Sequence, residues 1–135
     1  MDKNNIEQAW ISLILRVAMG LLFAMATIAK FVMGLSATSG LMVSTFKDTW
    51  LPLALVVPYT YVLPFAEALI AVWLLTGIKL RAAWIFTSLV LLTLSFGLFV
   101  AKQTSVSDIY VYLIISCVGL YFSKYDKCVL GGKCK

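Results

Sequence analysis

The chain has 135 residues, of which 62% are apolar and 13% are charged, and its mean hydropathy is +0.99. A soluble domain carries about 25% charged residues, so this composition argues against a water-soluble domain, a disordered chain, a coiled coil and a nucleic-acid-binding domain. The length allows one domain. The absence of histidine excludes haem with histidine ligation, zinc hydrolases and Ser–His–Asp catalysis.

Four apolar segments are candidates for membrane spans, since the hydrocarbon core needs roughly 20 apolar helical residues. The predicted spans cover residues 10–32, 59–78, 82–101 and 106–122, and a tail follows over 123–135. The sequence therefore predicts an all-α integral membrane protein in which residues 1–135 form a single transmembrane domain, a four-helix bundle.

The positions of lysine and arginine predict the orientation of these spans. Most of them lie in the N-terminus, in the connection between spans two and three, and in the tail: Lys3, Lys79, Arg81, Lys124, Lys127, Lys133 and Lys135. Cationic loops stay on the cytoplasmic side. With an even number of spans, both termini are therefore predicted to be cytoplasmic. Interfacial aromatic residues are consistent with these ends, and Trp84 is predicted at the inner interface.

The longest connection, residues 33–58, carries a helical pattern. Met42, Phe46, Trp50 and Leu53 recur at spacings of one helical face, and Pro58 is predicted to punctuate the end of the connection. The pattern predicts either an amphipathic helix at the outer interface or a short re-entrant segment that caps the bundle. An ordinary ordered loop is the alternative.

Two opposite charges lie within predicted spans. Arg16 lies in span one and Glu67 in span two, and an isolated charge inside a bilayer is costly. Counting depth from the span ends at about 1.5 Å per residue places the two within reach of each other. We therefore predict an Arg16–Glu67 pair as the polar core. Glu67 is either a structural counter-ion or a proton-exchanging carboxylate beside a quinone.

Lys30 lies near the outer end of span one. One interpretation is that its ammonium reaches the headgroups while its stem stays in the apolar region. The other is a cation at the outer mouth of the bundle that attracts an anionic substrate or a partner carboxylate.

The three cysteines fall into two groups. Cys117 lies in span four and is predicted to be a small buried residue. Cys128 and Cys134 lie in the tail near lysines, which favour the thiolate. They could form a reversible thiol pair, provide half of a soft-metal site that a partner completes, carry palmitate, or have no specific role. No metal site follows from the sequence alone.

Two stretches of the sequence resemble the DoxX-like family. Residues 15–23 read LRVAMGLLF and are followed by AKF at 29–31, which is similar to the opening span of that family. Residues 63–67 read LPFAE and are followed by LLTG at 74–77 and by Arg81, which resembles its second span. The L-P-x-x-E pattern is also similar to the MauE-like branch of the same group.

The resemblance covers residues 11–122 and implies a four-helix protein of the inner (cytoplasmic) membrane. Members of the DoxX-like family are associated with thiosulfate:quinone oxidoreductase subunits, with the maturation of periplasmic redox enzymes and with responses to oxidative stress. By this resemblance the candidate site residues are Arg16, Lys30 and Glu67.

Two functions from different classes remain open on these grounds. The first is a small subunit or accessory factor of a membrane redox system that is linked to quinone or to thiol and sulfur chemistry. The second is a non-enzymatic scaffold or assembly factor, and binding of a small solute or lipid is a third, weaker hypothesis. Catalysis by the chain alone is not expected, because no nucleophile, base and electrophile come together in the sequence. Quinone is the candidate cofactor, and a membrane redox protein or a second copy of the chain is the candidate partner.

Overall fold

A computed structural model describes residues 3–102 and 106–125. Within these ranges the regular secondary structure is all helical, without a strand. The helices are α1 (Lys3–Met33), α2 (Leu35–Phe46), α3 (Leu53–Thr76), α4 (Leu80–Val100) and α5 (Val106–Phe122). The predicted all-α fold is therefore confirmed.

Three helices are long and apolar enough to cross a membrane. They cover Ile6–Met33 in α1, Leu53–Thr76 in α3 and Leu80–Val100 in α4. The helix α5 is apolar but shorter, with 17 residues. The composition and these helices identify a multi-pass membrane protein.

The start of α3 differs from the prediction. The helix begins at Leu53 and runs through Pro58 and Pro64 to Thr76, whereas the sequence pattern predicted a span from residue 59 with Pro58 before it. Proline is tolerated inside membrane helices because nearby groups satisfy the freed backbone carbonyls. Pro58 and Pro64 lack the amides that would bond the carbonyls of Ala54 and Thr60. The Thr60 hydroxyl donates to a different carbonyl, that of Val57, at 2.7 Å.

A glycine separates α1 from α2. Gly34 has φ +90° and ψ 134°, a backbone conformation that residues with a Cβ rarely adopt. The chain changes direction at this residue, so that α2 packs against both α1 and α3.

The inward face of α2 is not the predicted one. The helix ends at Phe46, and Trp50 lies beyond it with 76% of its surface exposed. The buried residues of α2 are Thr38 and Ser39. Met42 and Phe46 belong to α2, Trp50 to the turn after it, and Leu53 to α3. The apolar spacing therefore does not mark one face of a single helix.

The helices α1, α3, α4 and α5 contact one another in a closed order, because α1 packs on α3, α3 on α4, α4 on α5, and α5 on α1. Trp84 of α4 is fully buried beside Gly119 of α5, so the indole packs between two helices instead of facing the lipid. The Ser88 and Ser116 hydroxyls join the same two helices at 2.8 Å. Small and hydroxyl-bearing residues permit this close approach between apolar helices.

Candidate functional site

A buried ion pair joins α1 to α3. Lys30 Nζ lies 2.5 Å from both Glu67 Oε1 and Glu67 Oε2. The Glu67 side chain is 4% exposed and the Lys30 side chain 19% exposed. Both groups are largely removed from solvent, so each charge depends on the other for its compensation.

The structure gives Glu67 a different partner from the predicted Arg16. A Cβ on Gly20 would lie 2.9 Å from Leu75 Cγ, and the Phe31 and Phe65 rings pack edge to face with centroids 5.9 Å apart. These contacts place Glu67 level with the last turns of α1, where Lys30 lies. Arg16 precedes Lys30 by 14 residues, which is about 21 Å along a helix and beyond the reach of its side chain.

The predicted pair failed because depth was counted from the ends of the apolar segments. In the structure α1 has 31 residues and is therefore about 46 Å long, which exceeds the hydrocarbon thickness of about 30 Å. The ends of its apolar stretch consequently do not lie level with the ends of α3. Arg16 itself is buried, at 3% exposure, one turn after the fully buried Ser12.

Hydroxyl side chains lie where α1, α2 and α3 meet, next to Lys30. The Thr38 hydroxyl of α2 donates to the backbone carbonyl of Lys30 at 3.4 Å. The hydroxyls of Ser39 and Thr60 share a hydrogen bond of 2.8 Å between α2 and α3. Thr27 is buried one turn before Lys30, and its hydroxyl has no hydrogen-bond partner among the described residues. The ion pair therefore lies beside a polar contact region where α1, α2 and α3 meet.

Sequence reasoning missed the contribution of α2 to this region. The search for apolar spacing selected Met42 and Phe46, while the contacts beside the pair come from Thr38 and Ser39. The adjacent hydroxyl residues in an otherwise apolar chain were the signal, because such residues bond across membrane helices.

An apolar groove lies between the start of α3 and the end of α4. It has a volume of about 610 Å³, and its lining residues are Phe46, Leu51, Leu55, Val56, Tyr59, Leu92, Thr93, Phe96 and Gly97. The hydroxyls of Tyr59 and Thr93 share a hydrogen bond of 3.1 Å in its wall. A smaller cavity of about 180 Å³ adjoins it and shares Phe46, Tyr59 and Gly97. The groove can accept an apolar ligand and offers hydroxyls at one position.

Of the three cysteines, only Cys117 lies within the residues that the structure describes. Cys117 is exposed on α5, contrary to the predicted buried position, because it lies on the outer side of that helix while Ser116 faces α4. Cys128 and Cys134 lie outside the described residues. No group of three or more metal-ligating Cys, Asp or Glu side chains occurs within 3–102 and 106–125.

A family model for the methylamine utilisation protein MauE matches residues 8–108. This range begins within α1, ends at the start of α5 and includes Arg16, Lys30 and Glu67. No curated protein and no solved structure matches the chain significantly. The match extends over most of the chain, which therefore belongs to the MauE family of membrane proteins.

Proposed function

We propose that α5 is a fourth span and that both termini are cytoplasmic in an inner-membrane protein. Its 17 residues extend about 25 Å, close to the hydrocarbon thickness. Support comes from its antiparallel packing on α4, in which Gly119 meets Trp84 and Ser116 bonds Ser88. Because α4 spans, a helix packed antiparallel along its inner half returns the chain to the side on which α4 began.

In this arrangement α2 is a re-entrant or interfacial segment on the outer side. The contacts that support this proposal are those of Thr38 and Ser39, which hold α2 against α1 and α3. The exposed residues Lys47, Asp48 and Trp50 follow α2, and such side chains are typical of a membrane–water boundary.

We infer that the protein is an accessory factor of a membrane redox system of the methylamine-utilisation kind. The observation that carries this proposal is the apolar groove with the Tyr59 and Thr93 hydroxyls in its wall. Thr93 donates to the Val90 carbonyl at 2.8 Å, so the Tyr59 hydroxyl donates to Thr93. A quinone ring suits the apolar groove, and the Tyr59 hydroxyl would turn from Thr93 to donate to a quinone carbonyl oxygen. The buried Lys30–Glu67 pair beside α2 would hold α1 and α3 in register around this end of the protein.

A non-enzymatic assembly factor is the second candidate function. The lining of the groove is apolar except for its hydroxyls, which also suits a helix of a client protein that packs from within the bilayer. In that case the partner is a membrane or redox protein and no quinone is held. A homo-oligomer would place a second copy of the chain in the same position.

One purification distinguishes these functions. The tagged protein is extracted gently from native membranes, and co-purifying proteins and extracted quinones are identified by mass spectrometry. We expect quinone in stoichiometric amount together with a redox partner, with Tyr59→Phe reducing quinone retention and the exposed Tyr61→Phe leaving it unchanged. A redox client without quinone would favour the assembly factor. A homo-oligomer with neither would overturn the redox accessory function.

A further inference from the structure

A basic cavity lies between α4 and α5, at the end opposite the apolar groove. It has a volume of about 380 Å³ and is lined by Arg81, Cys117, Leu120, Tyr121 and Lys124. Arg81 belongs to the first turn of α4, and Lys124 follows the end of α5. Two cations from different helices therefore border one cavity.

An apolar groove continues from this cavity along α5. It also has a volume of about 380 Å³, and its lining residues are Leu113, Ile114, Cys117, Val118, Tyr121 and Phe122. The cavity and the groove share Cys117 and Tyr121. Together they form one surface, basic at the end of the helix and apolar along its length.

The charged side chains that line this surface are all positive. Its described lining contains cations and no carboxylate, and Arg81 also lines a neighbouring cavity of about 520 Å³ together with Lys79. Lys124 Nζ lies 4.6 Å from the centre of the Tyr121 ring, which holds the ammonium near the cavity. An anion is therefore the complementary ligand for the basic end.

We propose that this surface binds an anionic phospholipid. Arg81 and Lys124 contact the phosphate, and an acyl chain lies in the groove over Cys117 and Val118. Basic pockets between membrane helices on the cytoplasmic side are suited to phosphate headgroups, and arginine can bind phosphate through two parallel hydrogen bonds. The phosphate of a lipid would occupy the basic cavity and its acyl chain the apolar groove, whereas a soluble phosphate would leave the groove unfilled.

Native mass spectrometry of the detergent-solubilised full chain tests this proposal. The probes are phosphatidylglycerol, phosphatidylcholine with the same acyl chains, and inorganic phosphate. We expect the wild type to retain phosphatidylglycerol in preference to phosphatidylcholine. The double variant Arg81→Gln, Lys124→Gln should bind phosphatidylglycerol at least about tenfold more weakly than the wild type does.

The matched control is Lys47→Gln, Lys102→Gln, which removes the same charge from exposed residues at the other end. This control should retain the lipid as the wild type does. Cys117→Phe, which narrows the groove without changing charge, should also weaken retention of the lipid. Equal binding of the two lipids, an equal loss in both double variants, or inorganic phosphate that binds as tightly as the lipid would overturn the proposal.

Discussion

Lys30 Nζ lies 2.5 Å from each carboxylate oxygen of Glu67, so that one ammonium joins the C-terminal end of α1 to the middle of α3. The two partners differ in exposure at the protein surface, because the lysine side chain is 19% exposed and the glutamate side chain 4%. This difference makes the cost of losing each partner unequal.

Lys30→Met is expected to destabilise the protein more than Glu67→Gln. Without Lys30 the carboxylate of Glu67 stays buried and uncompensated, at a cost of about 3 kcal/mol. Without the Glu67 charge, the lysine can extend toward the headgroups, which limits the cost to about 1 kcal/mol. Thermal unfolding in detergent measures the loss of stability in both variants. The control is Lys47→Met, which replaces an exposed lysine. The reverse order of stabilities would contradict this description of the pair.

Gly119→Ala is expected to destabilise the contact between α4 and α5 by about 2 kcal/mol or more. The new Cβ would lie 2.5–2.6 Å from three atoms of the Trp84 ring, which is rigid and fully buried. The matched variant is Gly20→Ala, whose Cβ would meet the Leu75 side chain at 2.9 Å. Since that side chain can move to another rotamer, the cost should stay below about 1 kcal/mol. Equal melting temperatures for the two variants would show that Trp84 and Gly119 do not pack as described.

Ser39→Ala is expected to weaken the packing of α2 against α3. The Ser39 hydroxyl is buried and bonds Thr60 of α3 at 2.8 Å, and losing such a bond costs about 1 kcal/mol. Hydrogen exchange of the α2 amides should accelerate. Ser44→Ala is the control, because the Ser44 hydroxyl is exposed and bonds the carbonyl of Leu41 in its own helix. Unchanged exchange in both variants would exclude the proposed attachment of α2 to α3.

A fourth span would place Lys102 and Lys124 on opposite sides of the membrane. In a chain whose native cysteines are replaced by serine, Lys102→Cys should react with an impermeant maleimide added from outside, as should Lys47→Cys. Lys124→Cys and Lys79→Cys should react only after the membrane is permeabilised. Labelling of both Lys102→Cys and Lys124→Cys from outside would show that α5 does not span and that the termini lie on opposite sides.

Composition and hydropathy were sufficient to predict the helical membrane fold, because few charges fall within segments long enough to span. Relative depth was harder to predict. The lengths of apolar segments do not show how far α1 extends beyond the bilayer, so Arg16 was paired with a carboxylate that Lys30 holds. Only contacts such as that of Phe31 with Phe65 set the register of the two helices.

The position of Trp84 shows a second limit. A tryptophan near the end of a span usually faces the headgroup region, and nothing local to α4 indicates that this side chain instead packs against another helix. Its burial depends on Gly119, which is 35 residues later and leaves room for the ring. Apolar spacing likewise gave no warning that Trp50 lies beyond the end of α2.

A double-mutant cycle on the buried pair tests the central claim most directly. Thermal unfolding is measured for Lys30→Met, Glu67→Gln and their combination, and in parallel for Arg16→Met with Glu67→Gln. We predict an interaction energy of about 1–3 kcal/mol between Lys30 and Glu67, and additivity within about 0.5 kcal/mol for Arg16 and Glu67. A larger coupling of Glu67 to Arg16 than to Lys30 would contradict the structure described here.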